Sequence, residues 1–289
     1  MLPLALQPMA DFRPKLLMVE MGMFLLVQLI ALFVGQNMIK RGQVEFLPPP
    51  QALTSFFIAF IIALAMILLI LKFLTGPWGF GIFFAVMIFI GSQIVFESFL
   101  PALIAILLAI VVVAIRFIKP NVLTHNIAIF ITIAGVSAQL GTILPVVAII
   151  VILLVLSVYD YIAVFKTKSM IAMFKQMLHR GAPFAIVVPE SIEHMTMHIA
   201  KASKEKLRKT HEKSKFLMLG TGDLAFPAVF AVSALAQYGL QAAMFVIAGS
   251  LAGLAVNHYY LTQKFRAIPA LPALAIFSIV GFLVYLVLF

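Results

Sequence analysis

Apolar runs of about 20 residues recur from one end of this 289-residue chain to the other, and that length lets a helix cross the roughly 30 Å hydrocarbon core of a bilayer. Inside lipid every backbone N–H and C=O must be paired within the protein, which restricts such runs to helices. The expected fold is therefore all-α, a polytopic membrane protein. Composition agrees, with 64% of residues hydrophobic and 10% charged. Little chain is left for a separate soluble unit, so residues 1–289 are read as a single membrane domain. The absence of cysteine excludes disulfides, thiolate nucleophiles and thiolate metal sites.

Polar residues, Gly and Pro punctuate the runs into nine expected transmembrane helices, near 16–35, 51–73, 78–96, 101–117, 121–141, 144–165, 215–236, 239–260 and 268–288. Spans 1–6 thus occupy about 16–165 and spans 7–9 about 215–288, with residues 167–214 as the one sizeable connection. Pro101 and Pro145 follow short connections, where a proline either opens a helix or kinks a continuing one. With nine spans, eighteen of the twenty Lys and Arg fall on the N-terminal side and only Lys40 and Arg41 on the other. Basic residues stay cytoplasmic in short loops, so the N-terminus is expected in the cytoplasm and the C-terminus outside. The net charge of +10 then reflects topology and contact with lipid headgroups. No aromatic-interleaved basic motif suggests a nucleic-acid partner. No cleavable signal peptide is expected, and the first span acts as its own membrane signal. The host membrane is the plasma membrane in a prokaryote or an endomembrane in a eukaryote.

Against this background two acids stand out. The chain has three aspartates, Asp11, Asp160 and Asp223, and the last two lie in strongly apolar stretches. An acid near mid-membrane costs roughly 2.5–3.5 kcal/mol and is usually kept for function. Helical rise places Asp160 about 9 Å and Asp223 about 12 Å from the cytoplasmic edge, on antiparallel spans 6 and 7. Two carboxyl groups at one depth can face each other and share a proton. One then activates water while the other polarises a peptide carbonyl. Depth alone equally fits a polytopic transporter or cation-leak channel that uses the same polar cavity.

The flanking sequences separate these readings. Asp160 sits in SVYDYIAVF and Asp223 in LGTGDLAFP, and span 9 opens with IPALPALAIF. The YD pair, the GxGD tetrad and the PAL tripeptide, in this order on spans 6, 7 and 9, resemble the presenilin and signal-peptide-peptidase family of intramembrane aspartyl proteases, most closely a presenilin homologue. The resemblance implies that Asp160 and Asp223 are the catalytic dyad. It also implies that Tyr159, Gly220, Thr221 and Gly222 frame the dyad and that Pro269, Ala270 and Leu271 lie beside it. Glycines 220 and 222 remove side chains beside Asp223, giving water and a substrate backbone room to approach. Pro269 and Pro272 cannot complete helical hydrogen bonds, which leaves carbonyls for an extended peptide. The expected activity is an endopeptidase acting on single-span transmembrane proteins in the lipid bilayer, without metal, nucleotide or other cofactor. Signal-peptide-peptidase-like members are inserted the opposite way, so the charge count implies presenilin-like handling of substrates with an outside N-terminus. Homo-oligomers and accessory subunits are left open.

Within the connection, Met170, Ile171, Phe174, Met177 and Leu178, set among Lys168, Lys175, His179 and Arg180, predict an interfacial amphipathic helix. After Gly181 and Pro183, Phe184–Val188 is a β-favouring run, expected to plug the site, to pair with substrate by strand addition, or to pack on the membrane surface. By resemblance the loop is also a site of self-cleavage. Glu190, His194 and His198 have four-residue spacing, but HMTMH lacks the glutamate of HExxH, so no metal site is expected. A rhomboid-like serine mechanism lacks its GxSxG motif. Glu20 is expected to hydrate or pair at the cytoplasmic edge, about one and a half turns from Lys15, and both Glu20 and Glu97 to be structural. His125, Asn126, Gln139, Asn257 and His258 are candidates for interhelical hydrogen bonds or a water path.

Overall fold

The computed structural model describes residues 14–73, 77–166, 184–189, 192–208, 216–264 and 269–289. The elements are α1 (Pro14–Lys40), α2 (Pro49–Phe73), α3 (Pro77–Glu97), α4 (Ala102–Ile118), α5 (Val122–Ile143) and α6 (Val146–Phe165), then β1 (Ala185–Pro189) and a 3-10 turn at Ile192–Thr196. They continue with α7 (Ile199–Arg208), β2 (Phe216–Gly220), α8 (Thr221–Tyr238), α9 (Leu240–Lys264) and α10 (Leu271–Leu288). The expected amphipathic helix around Met170–Arg180 lies outside the described residues, as do Asp11, Gly181, Pro183, Glu190 and Arg266.

Six of these helices are long and apolar enough to cross a bilayer, on α1, α2, α5, α6, α9 and α10. The apolar stretches Gly81–Glu97 and Ala102–Ile118 are shorter. Pro101 and Pro145 open helices: each is an extended N-cap residue, at φ −60°, ψ 147° and φ −70°, ψ 153°, ahead of α4 and α6. Asn121 caps α5, its side-chain oxygen accepting the Thr124 N–H at 2.8 Å.

The chain is mostly helical but not wholly so. Residues 215–220 are expected to begin span 7 as helix, yet Phe216–Gly220 is a strand paired antiparallel with β1, in the register Ala185↔Gly220 to Pro189↔Phe216. The run at 185–188 is thus extended as its composition predicts, and its partner is this chain.

Burial around the bundle shows what each helix faces. Residues 227–235 of α8 are all buried, so this helix is enclosed on every side, as a central helix must be. It packs with α1, α5, α6, α9 and α10. On α2, by contrast, Ile58, Ile61, Ile62 and Leu69 are more than half exposed. Such a surface suits lipid as solvent and would aggregate in water. Without a hydrophobic driving force between helices, close backbone contact must hold them together. At the α3–α5 crossing a Cβ on Gly135 would stand 2.1 Å from the Gly91 carbonyl oxygen, so only glycine fits.

Candidate active site

Asp160 lies in the last two turns of α6 and is buried, with 6% of its surface exposed. Its carboxyl group accepts a hydrogen bond from the Leu271 backbone N–H. Leu271 is the first residue of α10, and the first N–H groups of a helix have no partner within it. The PAL tripeptide therefore meets Asp160 through an orphan donor at the positive end of a helix. Pro269, Ala270 and Leu271 are all buried there. Pro272 occupies the first turn of α10, where a missing N–H costs nothing. The Ala270 carbonyl accepts the Leu274 N–H at 3.2 Å, and the carbonyls that Pro269 and Pro272 would leave free, four residues before each, lie outside the described residues.

Asp223 meets a helix N-terminus as well. Gly220 is the N-cap of α8, which makes Asp223 its third helical residue. The Asp223 carboxyl group accepts the Gly220 N–H, the reach-back half of a capping box. A Cβ at Gly220 would lie 3.0 Å from Asp223 Oδ2, so a side chain there would press on the carboxylate. At Gly222, by contrast, a Cβ would meet only Phe226 Cε2, at 4.0 Å, and the residue is exposed. One flank of Asp223 is therefore open. Pro227 lies four residues on and has no N–H to return to the Asp223 carbonyl, which loosens the helix at the acid.

The two carboxyl groups lie within electrostatic reach of each other. Asp160 is buried and Asp223 half-buried, so one is sheltered and the other reached from the side of Gly222. The helical-rise estimate for Asp223 is corrected by β2: the chain reaches the acid as an extended strand, at about 3.3 Å per residue, and not along a helix. Tyr159 is exposed, with its ring edge-on to Phe60 at 6.0 Å. The Thr221 N–H donates to the Phe184 carbonyl at 3.2 Å.

Glu20 is paired, with a partner far along the chain. It is 3% exposed and its Oε2 lies 2.6 Å from Nδ1 of His258 on α9. The Glu20 charge reaches Asp223, and Phe24, one turn along α1, shares an apolar cluster with Leu224, Leu254, Ala270 and Leu274. The pair therefore backs the site. Gln139 and Glu97 line a cavity with Met38, Gln43, Ile94 and Ser98, away from both aspartates. His194 is edge-on to Phe216 at 5.6 Å, and His198 Nδ1 accepts the Ala200 N–H at 3.2 Å. Among the described residues no three His, Cys, Asp or Glu side chains converge as a metal site.

His125 and Asn126 hold β1. The Asn126 Nδ2 donates to the Val187 carbonyl at 2.7 Å and its Oδ1 accepts the Val187 N–H at 3.0 Å. His125 Nε2 lies 3.0 Å from the Ala185 carbonyl, and its Nδ1 accepts from Arg116 Nε at 3.1 Å. An N–H donor on Nδ1 leaves the ring proton on Nε2, facing Ala185. From sequence these residues are candidates for interhelical hydrogen bonds or a water path; His125 makes one such bond, to Arg116 of α4, and the other bonds go to β1. The signal for their role was the pair of adjacent polar residues one turn after the N-cap Asn121, which places them at the membrane edge.

Two aspartates, each bonded to a backbone N–H at the start of a helix within a bundle of long apolar helices, fit a polytopic intramembrane hydrolase of the aspartyl type. Residues 21–289 match the family described as signal-peptide peptidase, presenilin aspartyl protease, and the chain belongs to that family. Two solved structures of a presenilin family intramembrane aspartate protease share its fold. One, in space group C222, has a TM-score of 0.63 and 24% identity, with 93% of this chain and 96% of that chain covered. The other, in space group P2, has a TM-score of 0.65 at the same identity and coverage, 24%, 93% and 96%. No curated protein matches the chain. The protein is a multi-pass intramembrane aspartyl protease, a peptide hydrolase whose family acts on transmembrane substrates within the bilayer.

Proposed function

We propose that Asp160 and Asp223 are the catalytic dyad and that they cleave single-span transmembrane proteins. The observation that carries this reading is the pairing of each acid with a helix N-terminus, Asp160 with Leu271 and Asp223 with Gly220. Fixed N–H donors orient the carboxyl groups before substrate arrives, so no reorganisation is needed during reaction. One carboxylate takes a proton from water as the water oxygen bonds to the scissile carbonyl carbon. The protonated partner donates to the carbonyl oxygen. Collapse of the tetrahedral species breaks the C–N bond, the leaving nitrogen takes up a proton, and the dyad is left with one proton as at the start.

Helical peptide bonds are shielded, so substrate must unwind before attack. The supporting feature is the two-stranded sheet that leads into Asp223. Val187 turns its N–H and C=O toward Asn126, away from β2, and the Thr221 N–H bonds the Phe184 carbonyl. In this register the backbone groups of Met218 point away from β1. Substrate adds to that edge of β2 as an extended strand, which delivers it toward the open flank at Gly222.

The nine long helices cross the membrane alternately, with the N-terminus and the 167–214 connection in the cytoplasm. The start of α5 supports this arrangement, since Val122 N–H bonds the Met197 carbonyl and Ile199 N–H the Pro120 carbonyl, so residues 197–199 lie beside the end of α4 that carries Arg116 and Lys119. Substrates then present an outside N-terminus. Asp160→Ala or Asp223→Ala abolishes cleavage of a reconstituted single-span substrate; cleavage retained in either variant rejects the dyad.

A further inference from the structure

The geometry points to Asn126 as a positioning residue for substrate: its carboxamide takes the place of a neighbouring strand on the outer edge of β1, fixes the sheet to α5 and leaves β2 as the edge that accepts a peptide. The inference rests on the strand-addition reading above. A primary amide carries a donor and an acceptor side by side, as a strand residue does, and the Val187 N–H and C=O bond one to each, at 3.0 and 2.7 Å. The same two bonds fix which end of the amide is nitrogen. Two residues along, the Ala185 carbonyl is taken by His125 Nε2 at 3.0 Å. The outward groups of β1 are thus met from α5, and Asn126 and Val187 are buried.

What this does for substrate follows from population. A two-stranded sheet has little stability of its own. Tethered to α5, it stands ready beside Asp223. Without the tether, only a fraction of molecules hold the edge in place, and apparent affinity falls by that fraction, while substrate bound to the ordered fraction still reacts normally. Loss of Asn126 is therefore expressed in KM and spares kcat.

The test uses the full chain in lipid vesicles with a single-span substrate and two variants. Asn126→Asp keeps shape and the acceptor but removes the donor; Asn126→Leu removes both. A second substrate carries an N-methyl group on the backbone amide opposite Met218. We expect KM to rise about tenfold in Asn126→Leu and less in Asn126→Asp, with kcat within about twofold of wild type. For wild type, N-methylation raises KM, and with the methylated substrate Asn126→Leu changes KM by less than about twofold, because that substrate no longer uses the edge. Wild type that is indifferent to N-methylation rejects strand addition itself. Sensitivity to N-methylation with normal KM in both variants leaves strand addition standing and overturns the role of Asn126. Lower kcat at unchanged KM, or loss of folded protein in both variants, assigns Asn126 to general stability and also overturns it.

Discussion

The two glycines that precede Asp223 have different physical jobs. At Gly222 an added Cβ finds nearly empty space, so Gly222→Leu leaves folding within about 1 kcal/mol of wild type. The new side chain fills the flank that substrate needs, and kcat/KM falls by about a hundredfold, the scale of a 1 Å misplacement. Thermal unfolding and cleavage kinetics measured on one preparation check both halves. Glu20 predicts the reverse pattern of stability. Glu20→Ala breaks a buried pair with His258 and costs about 3–5 kcal/mol, read as a lowered unfolding midpoint, whereas Glu20→Gln keeps a hydrogen-bonding partner and costs less. The aspartates were legible in sequence because an acid in an apolar run is costly and rare. The Glu20–His258 pair was not, because the two residues are 238 positions apart and only the packing of α1 on α9 brings them together.

At the scale of elements, β2 is where sequence and structure part. FLMLG is as apolar as the helices around it, and periodicity over five residues does not separate strand from helix. What decides is non-local: AIVVP, whose β-branched residues favour an extended chain, lies opposite it. Gly220 and the reach-back of Asp223 were the local sign that the helix starts at Thr221. The outward Met218 N–H gives a test confined to one edge. Met218→Pro removes that donor and leaves the bonds to β1 intact, so KM rises by about tenfold while the β1–β2 pairing persists. Deleting 184–188 removes the partner strand, and proteolysis falls with it; unchanged proteolysis contradicts any role of β1 in presenting substrate.

For the whole molecule, the bundle was largely legible. Six of the nine expected spans coincide with helices long and apolar enough to cross a bilayer, and α3, α4 and α8 lie at the other three expected positions, with α8 starting later than expected. Lipid allows only helices or closed barrels, so length and apolarity locate helices of membrane length. Orientation is carried by charge, with eighteen Lys and Arg predicted on the cytoplasmic face. Reporter fusions after residues 43, 119 and 211 should read outside, cytoplasmic and cytoplasmic; the reverse pattern implies substrates of the opposite orientation. The chain has no cysteine, so single engineered cysteines can report the same topology by membrane-impermeant labelling.

The most direct measurement of the central claim is the binding of a substrate-derived peptide whose scissile bond is replaced by a hydroxyethylene group, a stable mimic of the tetrahedral species. If Asp160 and Asp223 act together on that species, wild type binds the mimic at least about a hundredfold more tightly than the matched peptide with an ordinary amide. Asp160→Asn and Asp223→Asn should each abolish that preference while still binding the ordinary peptide. Full preference for the mimic in either variant would contradict the account.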